Sequence, residues 1–432
     1  MARPQHAQRE VELAGAVPEL SEAEVAAWRA EGTPVVELLA RAQRLGPVSG
    51  IRLGERPVVL VTDPDAVRHV LARHPGRYVK RSHRMRRLLG DGVLTVDGEA
   101  WRGQRRLFQP QFTVQGVRRY ERAMRDAVGV TAHTWAESAR TGQPRDLVAD
   151  MRRFAIDVIW RATTGLPLDD TTHRQLLAAA RIVAAVAALG PSGAPDFDGD
   201  LAEVDAAAGR AVAAARAGEG PGILDALLDA VELPDPDGRL VRDNFVTFLV
   251  AGYETTAATL SWLLLLLHDH PEHREWALAQ GPAGSSGRTA AIRALISETL
   301  RLYPAALLLF RDATEDDVLA GRRIEAGATV ALCAYLTHRI PGLWPDPERF
   351  WPRRFHEPAP RPALGTYYPL GLGPRTCLGA QFTLQEMTLL AETLLPAFDF
   401  TLDGERPAPA FDITIHPDGP LPARLRERGG RP

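Results

Sequence analysis

The stretch Pro369-Leu-Gly-Leu-Gly-Pro-Arg-Thr-Cys-Leu-Gly379 decides how this chain is read. A single cysteine, Cys377, ends a loop built from proline and glycine, and Arg375 stands two residues before it. The residues that follow, Ala380 to Leu395, are patterned as an amphipathic helix. Cys377 therefore falls at a helix N-terminus, where the positive dipole end and free N–H groups stabilise a thiolate. Glycines 371, 373 and 379 let the backbone pass close to something flat and bulky. Arg375 can reach an anionic group at the edge of that object. A haem offers an iron for the thiolate, a flat face and propionates. A lone cysteine is more often a small buried hydrophobe, but the composition of this loop argues against that reading. A dinucleotide-binding loop also fails, because Thr376 stands where a third glycine is needed and no strand–helix–strand unit frames it.

The stretch resembles the haem-binding loop of the cytochrome P450 family, written Phe-x-x-Gly-x-Arg-x-Cys-x-Gly. Gly373, Arg375, Cys377 and Gly379 match, and Leu370 stands where the family has Phe. The resemblance implies haem b with Cys377 as its axial thiolate. It also implies a mainly α fold with small β-sheets, as one triangular domain over 1–432, with about residues 1–20 loosely ordered.

Composition narrows the reading further: apolar residues make up 45%, enough for a substantial core. Lys plus Arg (51) nearly balances Asp plus Glu (54), which argues against a nucleic-acid partner. Two cysteines do not make a disulfide framework, so a cytoplasmic location is expected. The polar N-terminus shows no signal peptide or anchor. Phe245 to Leu267 is long and apolar enough to span a bilayer, but Glu254 and several threonines at its middle favour a buried central helix. Val48 to Val61 reads as a hairpin, most of 98–302 as helix, and the segments after Pro304 as short strands followed by a Pro-rich loop.

Three further motifs stand in the family's order. Glu298 and Arg301 share a helix face and can pair. In the family this pair joins an arginine from a downstream Pro-x-Arg-Phe segment. Both Pro347-Glu-Arg-Phe350 and Pro352-Arg-Arg-Phe355 fit by letters, and the second assigns Arg354 as the brace. Ala251-Gly-Tyr-Glu-Thr-Thr256 matches the family's proton-delivery pattern. In it Ala251 and Gly252 leave room for a diatomic ligand, Gly252 lets the helix bulge, Thr255 holds a hydroxyl near dioxygen, and Glu254 relays protons. Trp101 and Arg105 share a helical face, and the resemblance makes them propionate donors together with Arg311 and Arg375. His338 is given a structural or propionate hydrogen bond, and Cys333 a buried, inert position.

By resemblance the substrate pocket draws on Leu94, Phe248, Ala251, Ala305, Leu308 and Ile413; Arg81, His83, Arg84, Arg86 and Arg87 read mostly as solvated, with one of them able to meet a substrate carboxylate. The aliphatic run Ala305 to Leu309 points to an apolar substrate such as a terpenoid or polyketide. The implied activity is monooxygenation by O2, with electrons from a separate ferredoxin and reductase, or a flavodoxin. A peroxide-driven peroxygenase or fatty-acid hydroxylase, and a haem gas sensor without catalysis, are the alternatives.

Overall fold

The structure is a computed structural model that describes residues 14–52, 57–80, 85–188, 197–218, 222–229, 239–411 and 413–429. Arg81, His83 and Arg84 lie outside the described residues. The chain divides into two compact units.

One unit takes the described residues of 1–81 with Ala306–Arg349 and Arg361–Cys377. It opens with helices α1 (Glu22–Glu31) and α2 (Val35–Gln43). Ser21 and Glu24 form a capping box at the start of α1, each satisfying the other's backbone N–H. The expected hairpin forms from β1 (Val48–Ile51) and β2 (Val58–Val61), with Val48 opposite Val61. Helix α3 (Pro64–Arg68) is capped by Asp63 and continues as a π-helical turn, His69–Arg73. Five more strands follow: β3 (Tyr78–Lys80), β4 (Leu308–Ala313), β5 (Asp317–Leu319), β6 (Arg322–Ile324) and β7 (Thr329–Cys333). A five-stranded sheet runs β1-β2-β7-β4-β3, parallel only where β2 meets β7, while β5 and β6 pair as a separate hairpin. Val59, Val61, Val67, Leu71, Val330 and Leu332 form its core. Residues near the described start are tied in by Gly15, which bridges Arg322, and Glu19, which bridges Gly50.

The other unit takes the described residues of 82–305 with Phe350–Pro360 and of 378–432. Its long helices are α4 (Gly98–Phe108), α5 (Glu121–Thr141), α6 (Leu147–Thr164), α7 (Asp170–Ala188), α8 (Asp198–Ala217), α9 (Arg239–Asp269), α10 (Pro271–Leu278), α11 (Ser286–Leu302) and α12 (Ala380–Ala397). Helix α9 is the central one. It is long and apolar enough to cross a membrane, yet most of that apolar stretch is buried in protein, including every residue from Thr256 to Leu267. An all-round apolar helix needs such enclosure. Two small sheets complete the unit. In one, Phe398–Leu402 and Arg145–Asp146 flank Pro422–Glu427; the other is the hairpin Pro409–Phe411 with Ile415–Pro417.

Candidate functional site

The cysteine loop folds on itself. The Leu370 carbonyl accepts from the Cys377 N–H at 2.7 Å and from the Thr376 hydroxyl at 3.2 Å. Thr376 N–H reaches the Gly373 carbonyl at 3.0 Å, closing a 3-10 turn over Gly373–Arg375. Gly373 has φ +73°, and a Cβ there would lie 2.0 Å from the Leu71 carbonyl oxygen of the π-helical turn. Only glycine satisfies both demands. With its backbone held, the loop leaves Cys377 exposed and Leu370 partly so.

Behind the loop, His338 is fully buried and its Nε2 accepts the Tyr368 N–H at 3.0 Å. Thr337 meets the Tyr368 hydroxyl at 3.1 Å and donates to the Thr62 carbonyl at 3.2 Å. His338 thus bonds to the backbone that leads into the loop. Cys333 is buried at the end of β7, and desolvation pushes its thiol up to about 12, so it stays protonated and inert at neutral pH. Arg311 is buried on β4 and Arg375 is partly buried. Leu308, also on β4, is partly buried.

The second unit contains the polar motif. Helix α9 is α-helical throughout, so the bulge expected at Gly252 is absent. The glycine instead admits Ile159 of α6, whose Cδ1 would lie 2.8 Å from a Cβ at position 252. Thr255 Oγ1 donates to the Ala251 carbonyl at 2.7 Å, bonding one turn back along its own helix. Ala251 is exposed near the middle of this mostly buried helix. Glu254 pairs with Arg152 of α6 at 3.2 Å through Oε1, while its Oε2 is buried without a hydrogen-bond partner.

Beside this motif lies a group that sequence reasoning missed. Thr256 Oγ1 is 2.7 Å from Thr383 Oγ1 and donates to Glu386 Oε1 at 2.8 Å. Glu386 is 1% exposed and its Oε2 has no hydrogen-bond partner. Burial pushes its carboxyl up to about 8, with the Thr256 and Thr383 hydroxyls pulling the other way. A signal was present: Phe382, Glu386 and Leu389 stand at helical spacing in α12, which puts an acid on an apolar face.

The brace is a closed network. Glu298 and Arg301 are both fully buried. Arg301 donates to Glu298 from Nε and Nη2, each at 2.8 Å, in a forked pair. Glu298 Oε1 also accepts from the Trp351 N–H at 2.9 Å and from Arg354 Nε at 3.0 Å. Trp101 and Arg105 lie on α4 and are partly buried, with Arg105 Nε at 3.4 Å from Gln109 Oε1. Gly379 is the N-cap of α12. Ala305 is buried, Leu94 is partly buried and Ile413 is exposed. Phe248 is buried and packed against Phe108 and Phe112, with ring centroids at 4.7 and 5.7 Å.

These residues suit an iron porphyrin. An exposed thiol on a rigid loop is a soft ligand for iron. Arg311 and Arg375 in one unit, and Arg105 with the Trp101 indole in the other, are donors for carboxylates.

A family model described as Cytochrome P450 matches residues 26–190, 222–279 and 289–420. The chain is 30% identical over 409 residues to the cyclooctat-9-en-7-ol 5-monooxygenase of Streptomyces melanosporofaciens, covering 88% of this chain and 87% of that one. It is 30% identical over 387 residues to the cyclooctatin synthase of the same organism, covering 82% and 83%. Among solved structures, CYP175A1 from Thermus thermophilus matches with a TM-score of 0.76 at 31% identity, over 96% of this chain and 100% of that one. The haem domain of cytochrome P450DA shares the fold with a TM-score of 0.83 at 24% identity, over 96% and 97%. The chain belongs to the cytochrome P450 family, has that family's fold, and is an oxidoreductase of the monooxygenase kind.

Proposed function

We propose that this chain binds haem b through the Cys377 thiolate and inserts one oxygen atom of O2 into an apolar small molecule, a secondary metabolite of terpenoid type. The observation that carries this reading is the exposed Cys377 on a loop whose backbone is fixed at Leu370, Gly373 and Thr376. The names of the two Streptomyces relatives, which cover most of the chain, support the substrate class. The aliphatic run Ala305 to Leu309 supports an apolar substrate.

Haem, when bound, supplies the iron at which dioxygen is activated. Cys377 would hold it, Arg311, Arg375 and Arg105 would neutralise its propionates, and the Trp101 indole N–H would donate to one of them. Thr255 offers a hydroxyl and Glu254 a carboxylate for proton transfer, with Arg152 holding that carboxylate until it moves. Leu370 in place of an aromatic ring leaves the sulfur with a smaller apolar neighbour. Electrons come from a separate ferredoxin and its reductase, or a flavodoxin, in the cytoplasm.

The test is spectral. Reduced protein under carbon monoxide should show the red-shifted Soret band of thiolate ligation, and Cys377→Ser should lose it. A band that is absent from the parent protein, or that survives the substitution, overturns the reading.

A further inference from the structure

Trp262 is a large, fully buried side chain that none of the chemistry above uses. It lies on α9, and its Nε1 donates to the Ile415 carbonyl at 3.0 Å. Its ring stacks on Tyr303 with centroids 3.9 Å apart and planes 5° from parallel. Tyr303 ends α11, two residues before Ala305. The Ile415 N–H in turn donates to the Ala305 carbonyl at 3.1 Å. Trp262, Tyr303, Ala305 and Ile415 therefore form a closed loop of contacts. Ile415 is also the residue where the Pro409–Phe411 and Ile415–Pro417 hairpin begins to pair, opposite Phe411. Ile413, in the turn of that hairpin, is 43% exposed, whereas Thr414 and Ile415 are buried.

We propose that Trp262 is a positioning residue for substrate size: it fixes the spacing between the Ala305 segment and the hairpin turn that presents Ile413, two parts of the apolar wall. This rests on the haem monooxygenase reading above. The physical reason is directional. An apolar contact would let the hairpin slide, whereas the indole N–H on the Ile415 carbonyl and the Ile415 N–H on the Ala305 carbonyl fix its height and register. Trp262→Phe keeps an aromatic ring on Tyr303 and leaves the Ile415 carbonyl without its buried donor.

Two readouts test this in the haem-loaded protein. The first is amide hydrogen exchange at Ile415, which reports the strut without reference to iron. The second is the spectral binding of two nitrogenous iron ligands of different size, imidazole and clotrimazole. The expected result for Trp262→Phe is faster exchange at Ile415 and about tenfold weaker clotrimazole binding, with imidazole binding unchanged. Ile413→Ser, on the exposed turn, should weaken clotrimazole alone and leave exchange at Ile415 as it was, and it serves if the tryptophan variant does not fold. Equal weakening of both ligands, unchanged exchange at Ile415, or indifference of clotrimazole to both variants overturns the proposal. A parent protein that binds neither ligand overturns the haem reading and the size role with it.

Discussion

Glu298 accepts from Arg354 Nε at 3.0 Å, although the two residues are separated by a helix end, the four strands β4 to β7 and a proline-rich loop. The same carboxylate carries the forked Arg301 pair and the Trp351 N–H. A carboxylate with no solvent exposure needs this number of donors, because an uncompensated buried charge costs several kcal/mol.

Arg354→Ala should therefore destabilise the fold by about 3–5 kcal/mol and lower haem content, whereas Arg349→Ala should leave both near the parent values. Thermal unfolding and the ratio of Soret to protein absorbance check this. Equal loss from both variants, or loss from Arg349→Ala alone, would remove Arg354 from the brace.

The cysteine loop was legible because its meaning is local: glycine, arginine and cysteine at fixed spacing in one stretch, with a helix directly after it. The brace was half legible, since Glu298 and Arg301 share one helix but two arginines competed for the third place. The Glu386–Thr256 contact was only half signalled: spacing within α12 puts the acid on an apolar face, but its partner Thr256 lies on α9, which no local pattern names. The Gly252 bulge was expected from a residue type. Ile159, which occupies the space in its place, is on another helix that nothing in the motif names.

Two glycines should respond differently to alanine. At Gly373 the added Cβ meets a backbone carbonyl at 2.0 Å and φ is +73°, so neither side can yield easily. At Gly252 the Cβ meets the far end of the Ile159 side chain at 2.8 Å, which can rotate away. Gly373→Ala should cost about 1–3 kcal/mol and reduce haem uptake, and Gly252→Ala clearly less. Denaturant midpoints of the two variants decide it, and a larger loss at Gly252 would reject the argument.

Glu386 makes stability depend on pH in an unusual direction. An unfolded glutamate loses its proton near 4.5, while the buried one keeps it to about 8. Between those values folding takes up a proton, so stability falls as pH rises, by at most about 1.4 kcal/mol per unit from this group. Below that window the contribution is complete, and above it the contribution is lost. Glu386→Gln should flatten the slope between pH 5 and 8 while keeping the Thr256 contact. An identical slope in the variant would show that Glu386 ionises normally.

The Arg152–Glu254 pair separates proton delivery from folding. Arg152 is about one-third exposed on its side chain but Glu254 only 15%, so removing the arginine leaves a mostly buried carboxylate without its ion-pair partner and should cost about 1–3 kcal/mol. Glu254→Gln keeps the shape of the side chain but cannot accept and pass on a proton. It should slow turnover by about 100-fold and enlarge the solvent deuterium isotope effect. Arg152→Leu should slow it far less, because the carboxylate that carries the proton remains. Carbon monoxide spectra of both variants should match the parent, since neither residue lies on the cysteine loop. A slowed Arg152→Leu with a normal Glu254→Gln would make the arginine, and not the acid, the group that matters for turnover.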